Sequence, residues 1–164
     1  MKFSPELEEI ISNSRLTAID LNSGYISSYH FLLAILRSDN LPKKIFESKN
    51  WKFEKLTESL KSKEKENVEK YYLTKEFEYT LKNSKYYART YLDKEVSPEH
   101  IILSMLADKK SYAGKYLTEI GMDYSKFKVE CETTREMTSK SILEFFGSNR
   151  LLVSIGIPKI INGI

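Results

Sequence analysis

The sequence predicts an all-α protein built from two tandem four-helix repeats, about eight helices in all, related by a pseudo-two-fold axis. Glycine and proline are scarce, with six and four residues in 164, which disfavours a loop-rich sandwich or a disordered chain. Hydrophobic residues make up 41% of the chain, which is enough for a core. The strongest observation is that the sequence matches itself at an offset of 70 residues. An offset of this size indicates a duplicated structural unit.

The two copies align without a gap from Ser4 to Leu36, and nine of these positions are identical. The identical residues of the first copy are Glu6, Glu8, Asn13, Ser14, Ala18, Ser27, His30, Leu33 and Leu36. After one inserted residue the register resumes, with Phe46 on Leu117 and Trp51 on Met122. We therefore divide residues 1–132 into repeat one at 3–60, a charged linker at 61–72 and repeat two at 73–132.

The first helix of repeat one has clear start and stop signals. Ser4 is a natural N-cap, Pro5 fits the first helical position, and Glu6 interacts favourably with the helix dipole. One mostly apolar stripe then recurs at steps of three and four residues, formed by Leu7, Ile11, Ser14, Ala18 and Leu21. The segment 22–24, Asn-Ser-Gly, ends the helix.

The other helices follow the same logic. Ser27 caps a second helix whose run at 31–36 is apolar nearly all round, so we expect it to be buried. Pro42 begins a short third helix, and the fourth turns inward the side chains Trp51, Phe53, Leu56 and Leu60. Repeat two is expected to repeat the plan, with its signals at Thr74, Ser97, Pro98 and Gly121.

Two polar segments are interpreted as connections. The run 61–70 is almost wholly charged and is typical of a solvated linker. Beyond Cys131 the helical pattern weakens, so 133–140 is interpreted as a second linker and 133–164 as a flexible or docking tail. The apolar run 151–164 contains Pro158 and Lys159, and it is shorter than the ~20 residues that span a bilayer.

Charge and cysteine content narrow the function classes. The 26 basic and 23 acidic side chains leave a net charge of only +3, so no single-signed field favours nucleic acid or a membrane surface. Cys131 is the single cysteine, and no signal peptide opens the chain, which predicts a cytoplasmic protein. A pI near 8.7 keeps a helical nucleic-acid-binding domain as the alternative, for which DNA binding would fall steeply with salt.

The repeat motif resembles the N-terminal repeat domain of Clp-type ATPases of the ClpA and ClpC class. In the first copy it consists of Phe3-Ser4-Pro5-Glu6-Leu7 with the helix at 27–36, Ser-Ser-Tyr-His-Phe-Leu-Leu-Ala-Ile-Leu. In the second copy it consists of 73–77, Leu-Thr-Lys-Glu-Phe, with 97–103, Ser-Pro-Glu-His-Ile-Ile-Leu. The chain contains no G-x-x-x-x-G-K-[ST] phosphate loop. The resemblance therefore implies a recognition module, either standalone or excised from a larger ATPase, without enzymatic activity of its own.

The resemblance also implies candidate binding residues. In the ClpC branch each copy can hold phosphorylated arginine, with the phosphate at a capped helix start and the guanidinium on a carboxylate. The capping hydroxyls correspond to Ser4 and Thr74, and the carboxylate to Glu99, whereas Tyr29 stands at that position in the first copy. We therefore expect a working pocket of Thr74 and Glu99 and a weaker one at Ser4. The alternative is that the hydroxyls are plain N-caps and Glu99 only stabilises a helix dipole.

The other repeated polar residues are interpreted as structural. His30 and His100 lie inside apolar helices without ligand partners at suitable spacing, so we expect buried, hydrogen-bonded rings. Glu6 and Glu76 belong to the same repeat motif. No catalytic residue, metal site or cofactor is predicted. Six tyrosines around the first helix of repeat two are packing residues or an exposed patch: Tyr71, Tyr72, Tyr79, Tyr86, Tyr87 and Tyr91.

The expected partners follow from these interpretations. They are adaptor or substrate proteins and a Clp ATPase or protease core, with no nucleic acid and no membrane. The isolated domain is expected to be a monomer.

Overall fold

The computed structural model describes residues 1–51, 53–61 and 69–148, the last three of these as backbone only. The described residues form eight helices and one two-stranded sheet, which confirms the predicted all-α fold. Repeat one contains α1 (Pro5–Asp20), β1 (Tyr25–Ile26), α2 (Ser28–Ile35), α3 (Leu41–Ser48) and α4 (Glu54–Leu60). Repeat two contains β2 (Tyr72–Leu73), α5 (Lys75–Thr90), α6 (Pro98–Ala107), α7 (Tyr112–Glu119) and α8 (Tyr124–Ser148).

The first helix of each repeat begins at its expected N-cap. Ser4 Oγ accepts a hydrogen bond from the Leu7 amide at 3.1 Å, and Thr74 Oγ1 accepts one from the Phe77 amide at 3.4 Å. Pro5 stands first in α1, where its missing N–H costs no helical hydrogen bond. These side chains hold the two helix starts in defined positions.

A reciprocal exchange of extended segments joins the repeats. β1 pairs in parallel with β2, with Ile26 opposite Leu73, and Phe3 forms the equivalent bridge with Val96. In each pairing the residue that caps the first helix of one repeat donates its amide to the other repeat. Ser4 N donates to the Val96 carbonyl at 2.9 Å, and Thr74 N donates to the Ile26 carbonyl at 2.9 Å. The start of α1 is therefore fixed beside the start of α6, and the start of α5 beside the start of α2.

The core is formed by the apolar faces of both repeats. α2 and α6 are buried nearly all round, as expected, and the rings of Phe31 and Phe77 lie 5.4 Å apart across the repeats. The stripe of α1 differs from the prediction in one turn, since Ile10 is fully buried while Ile11 is only half-buried. The apolar pattern allowed either residue, and packing against α2 selects Ile10.

The structure of the C-terminal part differs from the sequence prediction of a linker at 133–140. Residues 1–128 form one compact unit, and a second unit begins at Val129. The expected linker at 133–140 is wrong, because these residues lie within α8. The segment from 122 to 146 contains no glycine or proline that would end the helix. Its threonine hydroxyls bond back to carbonyls four residues earlier, as Thr134 does to Glu130 at 2.8 Å.

Parts of the predicted connections lie outside the described residues. These are 62–68 of the charged linker and 149–164 of the tail. Tyr72, at the end of the predicted linker, belongs to β2. No helix within the described ranges is both long and apolar enough to cross a membrane. Cys131 is 1% exposed, in agreement with a late-helix core residue.

Candidate functional site

Two polar sites lie where helix starts from different repeats meet. The Ser4 site consists of the starts of α1 and α6, with the charged residues Asp39 and Lys44 of repeat one near them. The Thr74 site consists of the starts of α5, α2 and α7. Helix starts carry unpaired amides and a partial positive charge, so each site is suited to a negatively charged group.

The Thr74 site is occupied by its own carboxylate. Glu76 Oε1 accepts hydrogen bonds from the Ser28 amide at 2.9 Å and the Thr74 hydroxyl at 2.7 Å. Glu76 Oε2 accepts one from the Tyr112 amide at 3.2 Å. The residue is only 8% exposed. A single side chain thus connects the starts of three helices and takes the place that an external anion would need.

Two further contacts close the Thr74 site. Ser28 Oγ accepts a hydrogen bond from the Ala113 amide at 3.0 Å, and the rings of Tyr29 and Tyr112 lie 5.8 Å apart. Burial raises the pKa of Tyr29, and the nearby carboxylates of Glu119 and Glu76 raise it further. Tyr29 therefore remains a neutral phenol beside the buried carboxylate.

The Ser4 site lacks this closure. Proline stands at two of the three positions whose amides donate in the Thr74 site, Pro98 where repeat one has Ser28 and Pro42 where repeat two has Ala113. Neither proline has an N–H. Glu6, the counterpart of Glu76, is exposed. The same repeat motif therefore gives a buried structural carboxylate in one site and a solvent-accessible one in the other.

The Ser4 site is acidic. Partial burial raises the pKa of Glu6, the carboxylates of Glu99 and Asp39 raise it further, and the Lys44 ammonium opposes them. Ser4 and Glu99 are each 8% exposed. The site combines a capped helix start with four carboxylates, those of Glu6, Glu9, Asp39 and Glu99, against one ammonium. Such a combination suits a ligand that carries both an anionic group and a guanidinium or ammonium group.

The structure corrects the expected pairing of Thr74 with Glu99. α5 and α6 are antiparallel, and Ser104 Oγ donates to the Thr80 carbonyl at 2.9 Å. Thr74 stands before the first residue of α5 and Glu99 lies where α5 ends, on a helix about 24 Å long at 1.5 Å per residue. Glu99 instead shares a site with Ser4, and Tyr29 shares one with Thr74. Alignment of the two copies identifies equivalent positions, such as Tyr29 and Glu99. The exchange of strands between the repeats instead brings non-equivalent positions, such as Ser4 and Glu99, close together in space.

The two histidines have structural contacts. His30 Nδ1 accepts a hydrogen bond from the Ser27 amide at 2.9 Å, and burial lowers the pKa of His30 to about 4. His100 Nδ1 accepts one from the Ser97 amide at 2.8 Å, and its Nε2 lies 2.8 Å from Asp93 Oδ2. Across the described ranges, no three His, Cys, Asp or Glu side chains are grouped closely enough to hold a metal ion.

The six tyrosines divide between surface and packing. Tyr72, Tyr79 and Tyr86 are more than half exposed. The other three are half-buried, namely Tyr71, Tyr87 and Tyr91. Ser28 and Tyr112, which sequence reasoning missed, complete the Thr74 site. The exchange of Ser28 for Pro98 between the copies was the signal that could have identified Ser28.

Comparisons with known proteins agree with this architecture. The family model of the Clp repeat (R) N-terminal domain matches residues 2–120. The Hsp104 N-terminal domain from Candida albicans has a TM-score of 0.67 at 20% identity, over 82% of this chain and 92% of that one. The N-terminal domain of the caseinolytic protease associated chaperone ClpD from Arabidopsis thaliana has a TM-score of 0.63 at 20% identity, over 82% and 95%.

A structure from a malarial protein secretion system gives a TM-score of 0.66 at 18% identity, over 84% of this chain and 97% of that one. No curated protein matches the chain by sequence. At these identities the similarity to solved structures shows the fold alone.

Proposed function

Because the chain belongs to the Clp repeat N-terminal domain family, we propose that it is a noncatalytic recognition module of the Clp protease and chaperone system, which receives adaptor or substrate proteins. The observation that carries this proposal is the Ser4 site. There, the start of α1 meets the Glu99 carboxylate of the other repeat, and Glu6 is open to solvent.

Phosphoarginine is the ligand that fits this chemistry. Its phosphate would lie at the start of α1, where helix amides and the dipole favour an anion. Its guanidinium would donate to Glu99, since charge-assisted hydrogen bonds to a carboxylate are the strong ones. The two halves of the ligand then contact different repeats, so binding depends on the strand exchange.

The proposal assigns one phosphoarginine site to the chain. At the Thr74 site, the Glu76 carboxylate already accepts from the Ser28 and Tyr112 amides, and Tyr29 supplies no carboxylate for a guanidinium. A second phosphate would have to displace Glu76 and leave it near a like charge.

Calorimetry with a short peptide that carries one phosphoarginine tests this assignment. We expect one site per chain, and at least tenfold weaker binding in Glu99→Gln and Ser4→Ala. Thr74→Ala is the matched control, because it removes the equivalent hydroxyl from the other site and should leave the affinity within about twofold. Absence of heat with the unmodified chain would overturn the phosphoarginine assignment, and equal loss in Thr74→Ala would overturn the choice of site.

Co-purification tests the wider role. We propose a cytoplasmic, monomeric domain that acts with a Clp ATPase or protease core, either as part of a longer chain or as a docking accessory. A tagged form of the chain should retain a Clp ATPase or protease core from a cell extract. Retention of nucleic acid instead, with binding that falls steeply with salt, would contradict the proposal.

A further inference from the structure

One side of α5 combines basic and aromatic residues at the surface. Its members recur at steps of four and three residues, which places them on one face of the helix. They are Lys75, Tyr79, Lys82, Tyr86 and Arg89, and all five are exposed. We call this surface the basic face of α5. It extends over about 21 Å, at 1.5 Å per residue.

The equivalent helix of repeat one carries the opposite charge. Both α1 and α5 have 16 residues, but α1 contains four acidic and one basic side chain, whereas α5 contains four basic and two acidic ones. The positions of the basic face correspond in α1 to Pro5, Glu9, Ser12, Leu16 and Ile19. The two helices have equivalent places in the fold, so the fold itself does not require the cations of α5.

The cations of this face are available to a partner. Lys82 Nζ lies 3.3 Å from Glu78 Oε1, and these side chains are 73% and 54% exposed. Exposed ion pairs of this kind are weak, so Lys82 can exchange Glu78 for a carboxylate of a ligand. The other acid of α5, Glu76, is held by its hydrogen bonds at the Thr74 site.

The tyrosines provide exposed rings in a supported position. Tyr79 is 55% exposed and Tyr86 is 65% exposed. The Tyr86 ring packs edge-on against Tyr87 at 5.2 Å, and Tyr87 contacts the Tyr124 ring at 6.2 Å. Tyrosine and arginine are enriched among the residues that dominate binding at protein interfaces, because they bring a large contact area at a small entropic cost.

A cavity of about 550 Å³ adjoins the first turn of this face. Its lining residues are Lys75, Glu76, Tyr79, Asp108, Lys110 and Tyr112. The two acids are already engaged, Glu76 at the Thr74 site and Asp108 Oδ1 by the Lys110 amide at 2.9 Å, and Asp108 Oδ2 is buried. The exposed groups at the cavity are therefore two ammonium groups and two phenol rings, which suit an apolar side chain flanked by carboxylates.

We propose that the basic face of α5 binds an acidic segment of a partner protein. Carboxylates of the segment pair with the three cations of the face, and apolar side chains lie against Tyr79 and Tyr86. These tyrosines are seven residues apart, about 10 Å along the helix axis. In an extended polyproline II segment, residues three apart lie on one side and are separated by about 9 Å. Two apolar residues at that spacing reach both rings.

A protein fits this face better than a nucleic acid does. Glu78 lies beside Lys82, and the net charge of only +3 supplies no extended positive field. Carboxylates on a peptide can be spaced to meet the three cations alone. The inference rests on the proposed function only in that the partner is a protein, and Ser4 and Glu99 do not belong to this face.

An NMR titration of the isotope-labelled chain tests the inference. The probe is the peptide acetyl-Glu-Asp-Phe-Glu-Asp-Leu-Glu amide, and the matched control replaces its acids with glutamine and asparagine. We expect saturable shifts at the amides of Tyr79, Lys82 and Tyr86, and at least about tenfold weaker binding of the uncharged peptide. The affinity of the acidic peptide should fall as salt is added, because salt screens exposed charges.

Three results would overturn the proposal. One is equal binding of the two peptides, and another is the absence of shifts along α5. The third is a single-stranded oligonucleotide that shifts the same amides at a lower concentration than the acidic peptide does, since this would assign the face to nucleic acid.

Charge variants supply an independent test. The double variant Lys82→Gln with Arg89→Gln should bind the acidic peptide at least about tenfold more weakly. Its matched control is Lys55→Gln with Lys61→Gln, which removes two exposed cations from repeat one and should leave the affinity within about twofold. An equal loss in both double variants would show a general effect of net charge and would overturn the assignment.

A second pair of variants tests the aromatic contribution. Tyr86→Ser should weaken binding of the acidic peptide, whereas Leu16→Ser, at the equivalent and 48% exposed position of α1, should leave it unchanged. An unchanged affinity in Tyr86→Ser would overturn the role of the rings.

Phosphoarginine binding at the Ser4 site should persist in Lys82→Gln with Arg89→Gln, and acidic-peptide binding should persist in Glu99→Gln. Failure of one proposal is thus distinguishable from failure of the other. The comparison of the two peptides uses the unmodified chain, so it remains decisive if a variant fails to fold.

Discussion

Glu76 and Ser28 lie 48 residues apart in the chain, and the Ser28 amide donates a 2.9 Å hydrogen bond to the Glu76 carboxylate. This contact connects the first helix of repeat two to the second helix of repeat one. The same carboxylate accepts from Tyr112 at the start of α7. One buried acid therefore stabilises the packing of three helices from two repeats.

We expect Glu76→Ala to destabilise the chain far more than the equivalent Glu6→Ala. Loss of the carboxylate leaves the amides of Ser28 and Tyr112 without their acceptor, and each orphaned buried donor costs about 1–3 kcal/mol. The free energy of unfolding should fall by about 3 kcal/mol for Glu76→Ala and by less than about 1 kcal/mol for the exposed Glu6. Urea unfolding measures both, and equal losses would contradict the structural role of Glu76.

The buried His30 ring predicts a pH dependence of stability. Its pKa is lowered by burial to about 4 from an ordinary value of 6.5. The unfolded chain therefore binds a proton more tightly than the folded one between these values, and stability falls as the pH is lowered from about 6.5 to 4. The full contribution is about 3 kcal/mol, complete above the higher value and lost below the lower one.

His30→Asn is the control for this effect, because an amide oxygen can accept from the Ser27 amide without titrating. The variant's unfolding free energy should decline less steeply than that of the unmodified chain over the same pH range. Parallel curves for the two proteins would show that His30 does not titrate on unfolding.

Close packing of α6 and α7 makes Gly114 a sensitive position. A Cβ atom added there would overlap the backbone carbonyl of Met105. We expect Gly114→Ala to lower the free energy of unfolding by about 3 kcal/mol, since backbone atoms cannot yield as a side-chain end can. Gly121→Ala is the comparison, because Gly121 has a positive φ of 107° but open space around it.

The cost of Gly121→Ala should come from backbone strain alone, about 1–2 kcal/mol. Thermal or urea unfolding of both variants shows which substitution lowers the free energy of unfolding more. A larger loss for Gly121→Ala than for Gly114→Ala would mean that α7 packs less tightly on α6.

Helix starts could be predicted from the sequence because their causes are local. Ser4 and Thr74 cap where capping residues are expected. The strand exchange was not predictable, since each strand has only two residues and no alternating pattern. Its consequence, that Glu99 lies with Ser4, depends on contacts between positions about 95 residues apart, for which a helical period carries no information.

The polar segment 133–140 is a case in which the local sequence pattern gives a wrong prediction. Its threonines and charges predict a linker, but the absence of glycine and proline lets the helix continue. A polar helix and a polar linker have the same composition, and only the breaking residues separate them.

We propose that a ligand at the Ser4 site contacts both repeats. Amide mapping of the isotope-labelled chain during titration with the phosphoarginine peptide tests it most directly. We expect the amides of Glu6 and Leu7 at the start of α1 to shift together with those of Glu99 and His100 at the start of α6, while that of Phe77 at the start of α5 stays in place. Joint shifts of Phe77 and Glu99 without Leu7, or shifts confined to one repeat, would contradict it.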